Sequence, residues 1–449
     1  MTNFVETIAA ISTAPGIGAI AVVRVSGINA IEIAKIIFRR GDQKREVPEF
    51  KANFAMHGFV VDPISGDTID EVVITPFLAP HTYTGEDLVE ISCHGGPIIT
   101  AEILQLLLNN GARLAKPGEF TMRAFMAGRI DLTQAEAVID VIQAKTTRQG
   151  RRALSALTGT LGDRIRIVRN AVLELLTRVV AGIDFPEEIG DAPEPQIEQV
   201  CKQALTELDV LARTARTGRF LREGLRLAIV GRPNAGKSSL LNRLLQFERA
   251  IVTDVPGTTR DSLEEMLDLK GIPILLVDTA GIRHTEDQVE QIGIERSKRA
   301  IAEADLALLV IDATQGEGEP ETQIRELLGD KPHITVNNKA DLVGTKSGGI
   351  AISALTGQNI DDLTKEIEKF VFEDTASREG PSLNTRQAEL CLKAAAALRL
   401  VLSTAEAGYP QDCLATDLKT AVDALSEISG QSVSEEVITQ VFATFCIGK

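Results

Sequence analysis

The chain lacks tryptophan altogether, has two tyrosines, and is only 4% aromatic over 449 residues. Stacking of nucleic-acid bases on an aromatic platform is therefore not a general theme here. The five cysteines, Cys93, Cys201, Cys391, Cys413 and Cys446, are too few and too scattered for a disulfide framework or a zinc cluster. They fit a reducing compartment, and a cytoplasmic location is expected. No apolar run reaches the roughly 18 residues of a membrane span, and no basic-then-apolar leader opens the sequence. Positive charge is also in deficit. The 47 Lys and Arg against 63 Asp and Glu leave a net charge of −16. That balance excludes bulk coating of nucleic acid or anionic membrane, although a local basic patch stays open. Cys446 stands where a prenylated cysteine would, but Gly448 and Lys449 are unsuited to that signal.

What is present is ordinary globular composition, 44% hydrophobic and 24% charged, at a length that suggests two or three domains. Residues 1–120 mix short β-rich runs, such as Ile17–Val25, Glu71–Pro76 and Leu88–Ser92, with helices and frequent turn signals, which predicts an α+β domain. Residues 121–215 turn helical. Ile165, Val168, Val172, Leu175 and Val179 recur at spacings of three and four, Gly159 to Gly162 offers a break, and Ile197–Arg213 forms a further helix. From 216 to 379, strand and helix patterns alternate, with candidate strands at Leu225–Val230, Ile272–Asp278, Leu306–Asp312, Ile334–Asn338 and Ile350–Ser353. That order predicts a mostly parallel sheet covered by helices. Residues 380–449 return to helix. The expected architecture is a helical domain split in sequence, with an α/β domain inserted into it.

Gly231-Arg-Pro-Asn-Ala-Gly-Lys-Ser238 follows an apolar strand and precedes a helix, the required setting of a phosphate-binding loop. Its glycines let backbone amides turn toward phosphate oxygens at a helix N-terminus. Asn234, Ala235, Gly236, Lys237, Ser238 and Ser239 are assigned to nucleotide binding. Lys237 is the catalytic cation that reaches the β- and γ-phosphates, and Ser238 is a magnesium ligand. Asp278-Thr279-Ala280-Gly281 ends the next long strand near the γ-phosphate. Asn338-Lys339-Ala-Asp341 ends another, and Asp341 can accept two hydrogen bonds that guanine offers and adenine does not. Ser353-Ala354 closes the base pocket. The set, in this order, resembles the GTPases of the translation-factor-related class, with an α/β Ras-like GTPase domain expected. Ile282 replaces the usual water-orienting glutamine, so hydrolysis needs another group.

Further segments carry a narrower resemblance. They are Asp254-Val255-Pro256-Gly257-Thr258-Thr259-Arg-Asp261, Val289-Glu290-Gln-Ile-Gly-Ile-Glu295, Thr84-Gly-Glu-Asp87, His94-Gly-Gly-Pro97, Pro117-Gly-Glu-Phe120, Asp131-Leu-Thr-Gln-Ala-Glu136 and Cys446-Ile-Gly-Lys449. With them the whole chain resembles the MnmE/TrmE family of tRNA wobble-uridine modification GTPases, within the TrmE-Era-Septin-like class. The resemblance implies an N-terminal tetrahydrofolate-binding-like domain that also forms a homodimer. It implies potassium-dependent GTP hydrolysis, with Asn234, Thr258 and the carbonyls of Thr253 and Val255 as potassium ligands and Thr259 as the second magnesium ligand. Glu290 is the implied catalytic carboxylate that orients water; by itself it also reads as a solvated acid at a helix start.

Arg24, Glu90, Arg129 and Lys449 match folate-contacting positions, with Arg129 standing where the family usually has Lys. The ligand would be a 5-formyl- or methylene-tetrahydrofolate. FAD would enter only through a flavin-dependent MnmG/GidA-family partner, in a heterotetramer or larger complex, and tRNA is the implied substrate. The product would be an aminomethyl-type (carboxymethylaminomethyl) group on carbon 5 of the wobble uridine. Cys446 reads as a candidate functional thiol or as a small buried hydrophobe, and Cys93, Cys201, Cys391 and Cys413 as core. His94 could shape a site or merely a turn. The competing reading is a ribosome-assembly or signalling GTPase, an RNA-linked binding switch. Lys145 to Arg178 holds eight basic residues against Asp163 and Glu174, and Arg213, Arg216, Arg219 and Arg222 follow at near-helical spacing. Solvated helix faces and RNA contact both fit these runs.

Overall fold

The computed structural model describes residues 6–41, 45–46, 49–247, 265–277, 298–343, 348–372 and 380–449. They fall into two compact units, Met1–Ile139 with Ser426–Lys449, and Asp140–Leu425.

The first unit is built on a seven-stranded sheet: β1 (Ile8–Ile11), β2 (Ile20–Ser26), β3 (Phe38–Arg40), β4 (Met56–Val61), β5 (Thr68–Phe77), β6 (Leu88–His94) and β7 (Arg113–Leu114). Their order is β3-β4-β5-β6-β2-β1-β7. All pairs are antiparallel except β1 with β7. β2 alternates from Ile20 to Val25, with Val23 and Val25 fully buried, the period-2 signature of a half-buried strand. Helices α1 (Ala30–Ile37) and α2 (Pro97–Asn109) supply Ile33, Ile37, Ile103 and Leu107 to the same core. Pro97 starts α2, where its missing N–H costs nothing. Helix α3 (Glu119–Met126) precedes α4 (Leu132–Gln143), whose Leu132 and Ala135 pack with Phe442 and Phe445 from and beyond the last helix. Gly430 is required there, because a Cβ would lie 2.6 Å from the Phe125 ring.

The second unit combines helices with a nucleotide-binding type of sheet. Helix α5 (Thr147–Leu157) is followed by α6 (Thr160–Asp184), separated by Gly159 in a left-handed conformation. Helix α7 (Glu194–Glu223) runs on past the boundary expected at 215, and partners far along the chain hold the extension. Thr214 and Thr217 satisfy their hydroxyls on the Leu211 and Val371 carbonyls. Gly218 lets the Leu383 carbonyl approach within 2.5 Å of where a Cβ would stand. This stretch lacks the long apolar stripe of Ile197–Arg213, and the near-helical spacing of Arg213, Arg216, Arg219 and Arg222 is its sign of helix in the sequence.

Strand β8 (Leu225–Val230), helix α8 (Lys237–Phe247), β9 (Glu265–Leu269), β10 (Ile272–Val277), β11 (Leu306–Asp312), α9 (Glu319–Leu328), β12 (His333–Asn338), β13 (Ile350–Ala351) and α10 (Ile360–Val371) follow. The sheet order is β13-β12-β11-β8-β10-β9, parallel except for β9 on β10. Every residue of β11 is buried, as a central parallel strand covered on both faces should be. Helices α11 (Thr385–Glu406) and α12 (Gln411–Ser429) return the chain, and α13 (Glu435–Ala443) belongs to the first unit. The expected piece 380–449 is thus shared between the two units.

Candidate functional site

In the second unit, the loop after β8 wraps the start of α8. Gly231 has φ +153°, and a Cβ on it would stand 2.3 Å from the Val310 carbonyl oxygen. Asn234 has φ +60°. Lys237 folds its ammonium back to donate to the Gly231 and Arg232 carbonyls, both at 2.7 Å. Burial pushes its pKa down to about 8. An anion beside it would restore the charged form. Ser238 and Ser239 follow in the first helical turn.

Asn338 ties three segments together. It is 2% exposed. Its Nδ2 donates to the Ala235 carbonyl and its Oδ1 accepts from the Ala354 amide, both at 3.0 Å. Gly236 is bare because Asn338 passes over it: a Cβ there would lie 2.1 Å from Nδ2. Lys339 donates to the Asn234 carbonyl at 3.0 Å and to Asp312 at 2.6 Å. Burial alone would raise the Asp312 pKa, but Lys339 and the Thr314 hydroxyl and amide hold it below the usual carboxylate range. Asp341 is exposed at the end of this loop. Ser353 is fully buried and its Oγ accepts from the Thr356 amide, while Arg243 of α8 donates to the Ala354 carbonyl at 2.8 Å. The phosphate loop and both base-side loops thus form one hydrogen-bonded body.

One member of this site escaped the sequence reading. Glu321, fully buried, pairs with Arg232 of the phosphate loop at 3.3 Å, while its other oxygen accepts from the Gly318 amide at the helix start. The signal was Gly318-Glu-Pro-Glu321, a helix-start pattern whose glutamate has a second task. Thr253, Asp254, Val255, Pro256, Gly257, Thr258, Thr259, Asp278, Thr279, Ala280, Gly281, Ile282 and Glu290 lie outside the described residues.

In the first unit, Arg24 of β2 and Glu90 of β6 are direct cross-strand partners. The Arg24 Nη2 and Nε both donate to Glu90 Oε1, at 2.6 and 3.1 Å. The guanidinium also lies 5.8 Å from the Tyr83 ring centroid and 5.6 Å from that of Phe120. So Glu90, a carboxylate inside an apolar run, has Arg24 as its partner. Phe120 N donates to the Lys449 carbonyl at 3.1 Å, and Gly118 N to that of Cys446 at 3.4 Å. Gly448 presses on β1, where a Cβ would be 2.4 Å from the Ile11 oxygen. The tetrapeptide 446–449 is therefore docked beside Phe120 and β1. Arg129 is exposed, with Gly85 nearby.

Behind this site Arg123, 1% exposed, pairs with Glu119 and Glu86, each at 2.9 Å. Burial would raise the Glu119 pKa, but Arg113, the Lys116 amide and Arg123 bring it down to about 2. His94 is exposed and hydrogen-bonds Asp70 at 2.6 Å, which raises the imidazole pKa. Cys93, Cys201 and Cys391 are buried, but Cys413 and Cys446 are exposed. Cys413 lies in the first turn of α12 on its outer side, so its expected place in the core is corrected. The basic runs are largely spent on internal contacts: Arg164 with Glu207, Arg166 with Asp163, Arg178 on three carbonyls, Arg219 with Asp305 and Arg222 with Asp140.

A parallel sheet with a phosphate loop after its first strand, an Asn-Lys-x-Asp end and a Ser-Ala closure defines a guanine-nucleotide-binding domain, set among helices and preceded by an α+β domain. The MnmE helical domain family matches residues 132–446, and the family of the GTP-binding protein TrmE N-terminus matches 7–129. The tRNA modification GTPase MnmE of Lactobacillus delbrueckii subsp. bulgaricus is 48% identical over 100% of this chain and 99% of its own length. That of Thermoanaerobacter pseudethanolicus is 43% identical over 99% of each. Aquifex aeolicus Era bound to GDP.AlF4-, a solved structure, is 28% identical over 39% of this chain and 67% of its own, with a TM-score of 0.27. The chain belongs to the MnmE family of tRNA modification GTPases.

Proposed function

We propose that the chain is a GTP hydrolase of tRNA modification that works as a potassium-dependent homodimer with a flavin-containing MnmG/GidA-family partner. The observation that carries the GTPase reading is the Asn338 bridge, which holds the phosphate loop and the guanine-side loops in one arrangement. Lys237 and the loop amides receive the β- and γ-phosphates, and Asp341 selects guanine. Glu290 orients the attacking water, the task Ile282 cannot perform. When bound, magnesium and potassium supply the positive charge that the phosphoryl-transfer transition state requires. Ser238 and Thr259 are the proposed magnesium ligands; Asn234, Thr253, Val255 and Thr258 are those for potassium.

On the N-terminal sheet, Arg24, Glu90, Arg129 and Lys449 would hold a tetrahydrofolate derivative. The donor set fits such a ligand. Both Arg24 nitrogens converge on Glu90 Oε1, so Oε2 can accept from an amino-pyrimidine, and the half-buried Tyr83 ring lies beside them. The bound derivative would supply the one-carbon unit placed on carbon 5 of the wobble uridine, and Cys446, exposed beside it, is a candidate functional thiol. No helix among the described residues is long and apolar enough to cross a membrane. Two measurements test the reading. Bulk tRNA from a deletion strain should lack the modified wobble uridine, and an unchanged nucleoside profile would favour an RNA-linked binding switch instead. GTP hydrolysis should be much faster in potassium than in sodium; equal rates would sink the role given to Asn234.

A further inference from the structure

Strands β9 and β10 form a hairpin closed by Lys270-Gly271, with φ of +52° and +87°. Two positive φ values mark the tight type I′ turn that suits strand twist. The hairpin has a special place in the chain. The segment with Thr258 and Thr259 precedes β9, and Asp278-Thr-Ala-Gly281 follows β10 directly. β10 is in register with β8, the strand that feeds the phosphate loop. The tip therefore stands about 20 Å from the nucleotide end, at 3.3 Å per residue over six residues.

The helical segment grips that tip. Thr146 caps α5, accepting from the Gln149 amide in a full capping box. The same hydroxyl donates to the Gly271 carbonyl at 2.8 Å, with Thr146 only 6% exposed. Gly271 must be glycine twice over, by its φ and because a Cβ would lie 2.7 Å from the Arg148 Cβ. Arg148 in turn pairs with Glu368 of α10 at 3.3 Å and lies 3.9 Å over the buried Phe372 ring. Gln149, the other half of the capping box, donates to the Leu221 carbonyl in the last turn of α7. One residue thus joins the hairpin tip, the start of α5 and, through its capping partner, the end of α7.

We propose that Thr146 is a positioning residue that couples nucleotide state to the helical segment, by holding the tip of the β9–β10 hairpin to the N-terminus of α5. Movement of the hairpin then reaches α5 and α7 through a bond that does not touch the nucleotide. The inference rests on the GTPase reading of the site.

The test uses the full chain and two variants that both keep the helix cap. Thr146→Ser retains the hydroxyl donor; Thr146→Asp caps as well but sets a carboxylate against the Gly271 carbonyl. Amide hydrogen exchange is compared between GDP and a non-hydrolysable GTP analogue, with nucleotide binding measured on the same samples. In the wild type and Thr146→Ser, an exchange difference at residues 268–272 is accompanied by one at 146–152. In Thr146→Asp the hairpin difference remains, while that at α5 shrinks about tenfold, as loss of one coupling hydrogen bond would give. The GTPase rate of both variants stays within about twofold of wild type, because the nucleotide contacts are untouched. A Thr146→Asp chain that keeps the α5 difference overturns the proposal, as does a wild-type chain whose hairpin responds without α5. Failure of the wild type to bind GTP at all sinks the functional reading itself, and the coupling with it.

Discussion

Replacing Asn338 by alanine is the sharpest perturbation of the nucleotide site. The phosphate loop, Lys339, Asp341 and the Ser353-Ala354 loop stay unchanged, yet the bridge between them goes. The Ala235 carbonyl and the Ala354 amide each lose a partner at 3.0 Å. Both residues are buried, at 0% and 4% exposure, so water reaches neither group freely. A buried polar group left unpaired costs about 1–3 kcal/mol, so the two together cost about 2–6 kcal/mol. The loops can relax outward in the nucleotide-free chain, but bound GTP must draw them together again. Much of the cost therefore falls on binding, and a share of about 2–4 kcal/mol raises the GTP Kd about 30- to 1,000-fold. Equilibrium titration with a fluorescent GTP analogue reads this directly, beside a thermal melt. Asn338→Asp should be no better: it keeps an acceptor for Ala354 but turns a second acceptor on the Ala235 carbonyl. If Asn338→Ala bound GTP within threefold of wild type and melted unchanged, the bridge would not organise the site.

Two further outcomes are expected. Lys237 titrates at about 8 in the free site, and phosphate keeps it charged when bound. Binding therefore takes up a proton above pH 8, and GTP affinity should weaken as pH rises through 8, toward about tenfold per unit. Lys237→Arg, assayed by the same titration, should lose that break; a flat profile in the wild type would contradict the lysine's assigned environment. Arg123→Met should destabilise the first unit by about 1–3 kcal/mol, because buried Glu119 keeps Arg113 but loses one charged partner and half-buried Glu86 loses its cation. Glu119 ionises near 2 in the folded chain. Its contribution is full above the unfolded carboxylate range and is lost as pH falls toward 2, so wild-type melts should show that loss, and Arg123→Met, which keeps Arg113 and the Lys116 amide on Glu119, should show a smaller one.

The parts read from sequence share one property: their evidence is local. β8 and β11 are continuous apolar runs, and the observed strands coincide with those expected. The loop after β8 and the Asn338-Lys339 loop follow from motif plus strand context. What stayed hidden depends on partners far along the chain. Among the described residues β9 pairs only with β10, and β7 has two residues whose pairing with β1 spans most of the first unit. Glu321 reads as a helix cap until Arg232 meets it. Arg24 reads as a strand-end surface residue until β6 brings Glu90 beside it. The Thr146 capping box is legible, but its bond to Gly271, 125 positions away, is not.

The docking of α13 and residues 446–449 on the first unit sets an order of events on the ribosome. Phe442 and Phe445 complete the cluster around Leu132 and Phe125, and Gly448 lies along β1. All of Asp140–Leu425 is synthesised between the two halves of that unit. At about 5–20 residues per second, the nascent sheet waits on the order of tens of seconds for its closing helix. During that interval the apolar side of α3 and α4 is uncovered, while the nucleotide-binding unit can already have folded. A ribosome stalled anywhere after Asp140 would thus hold an N-terminal unit with its core open, a ready substrate for chaperones and proteases.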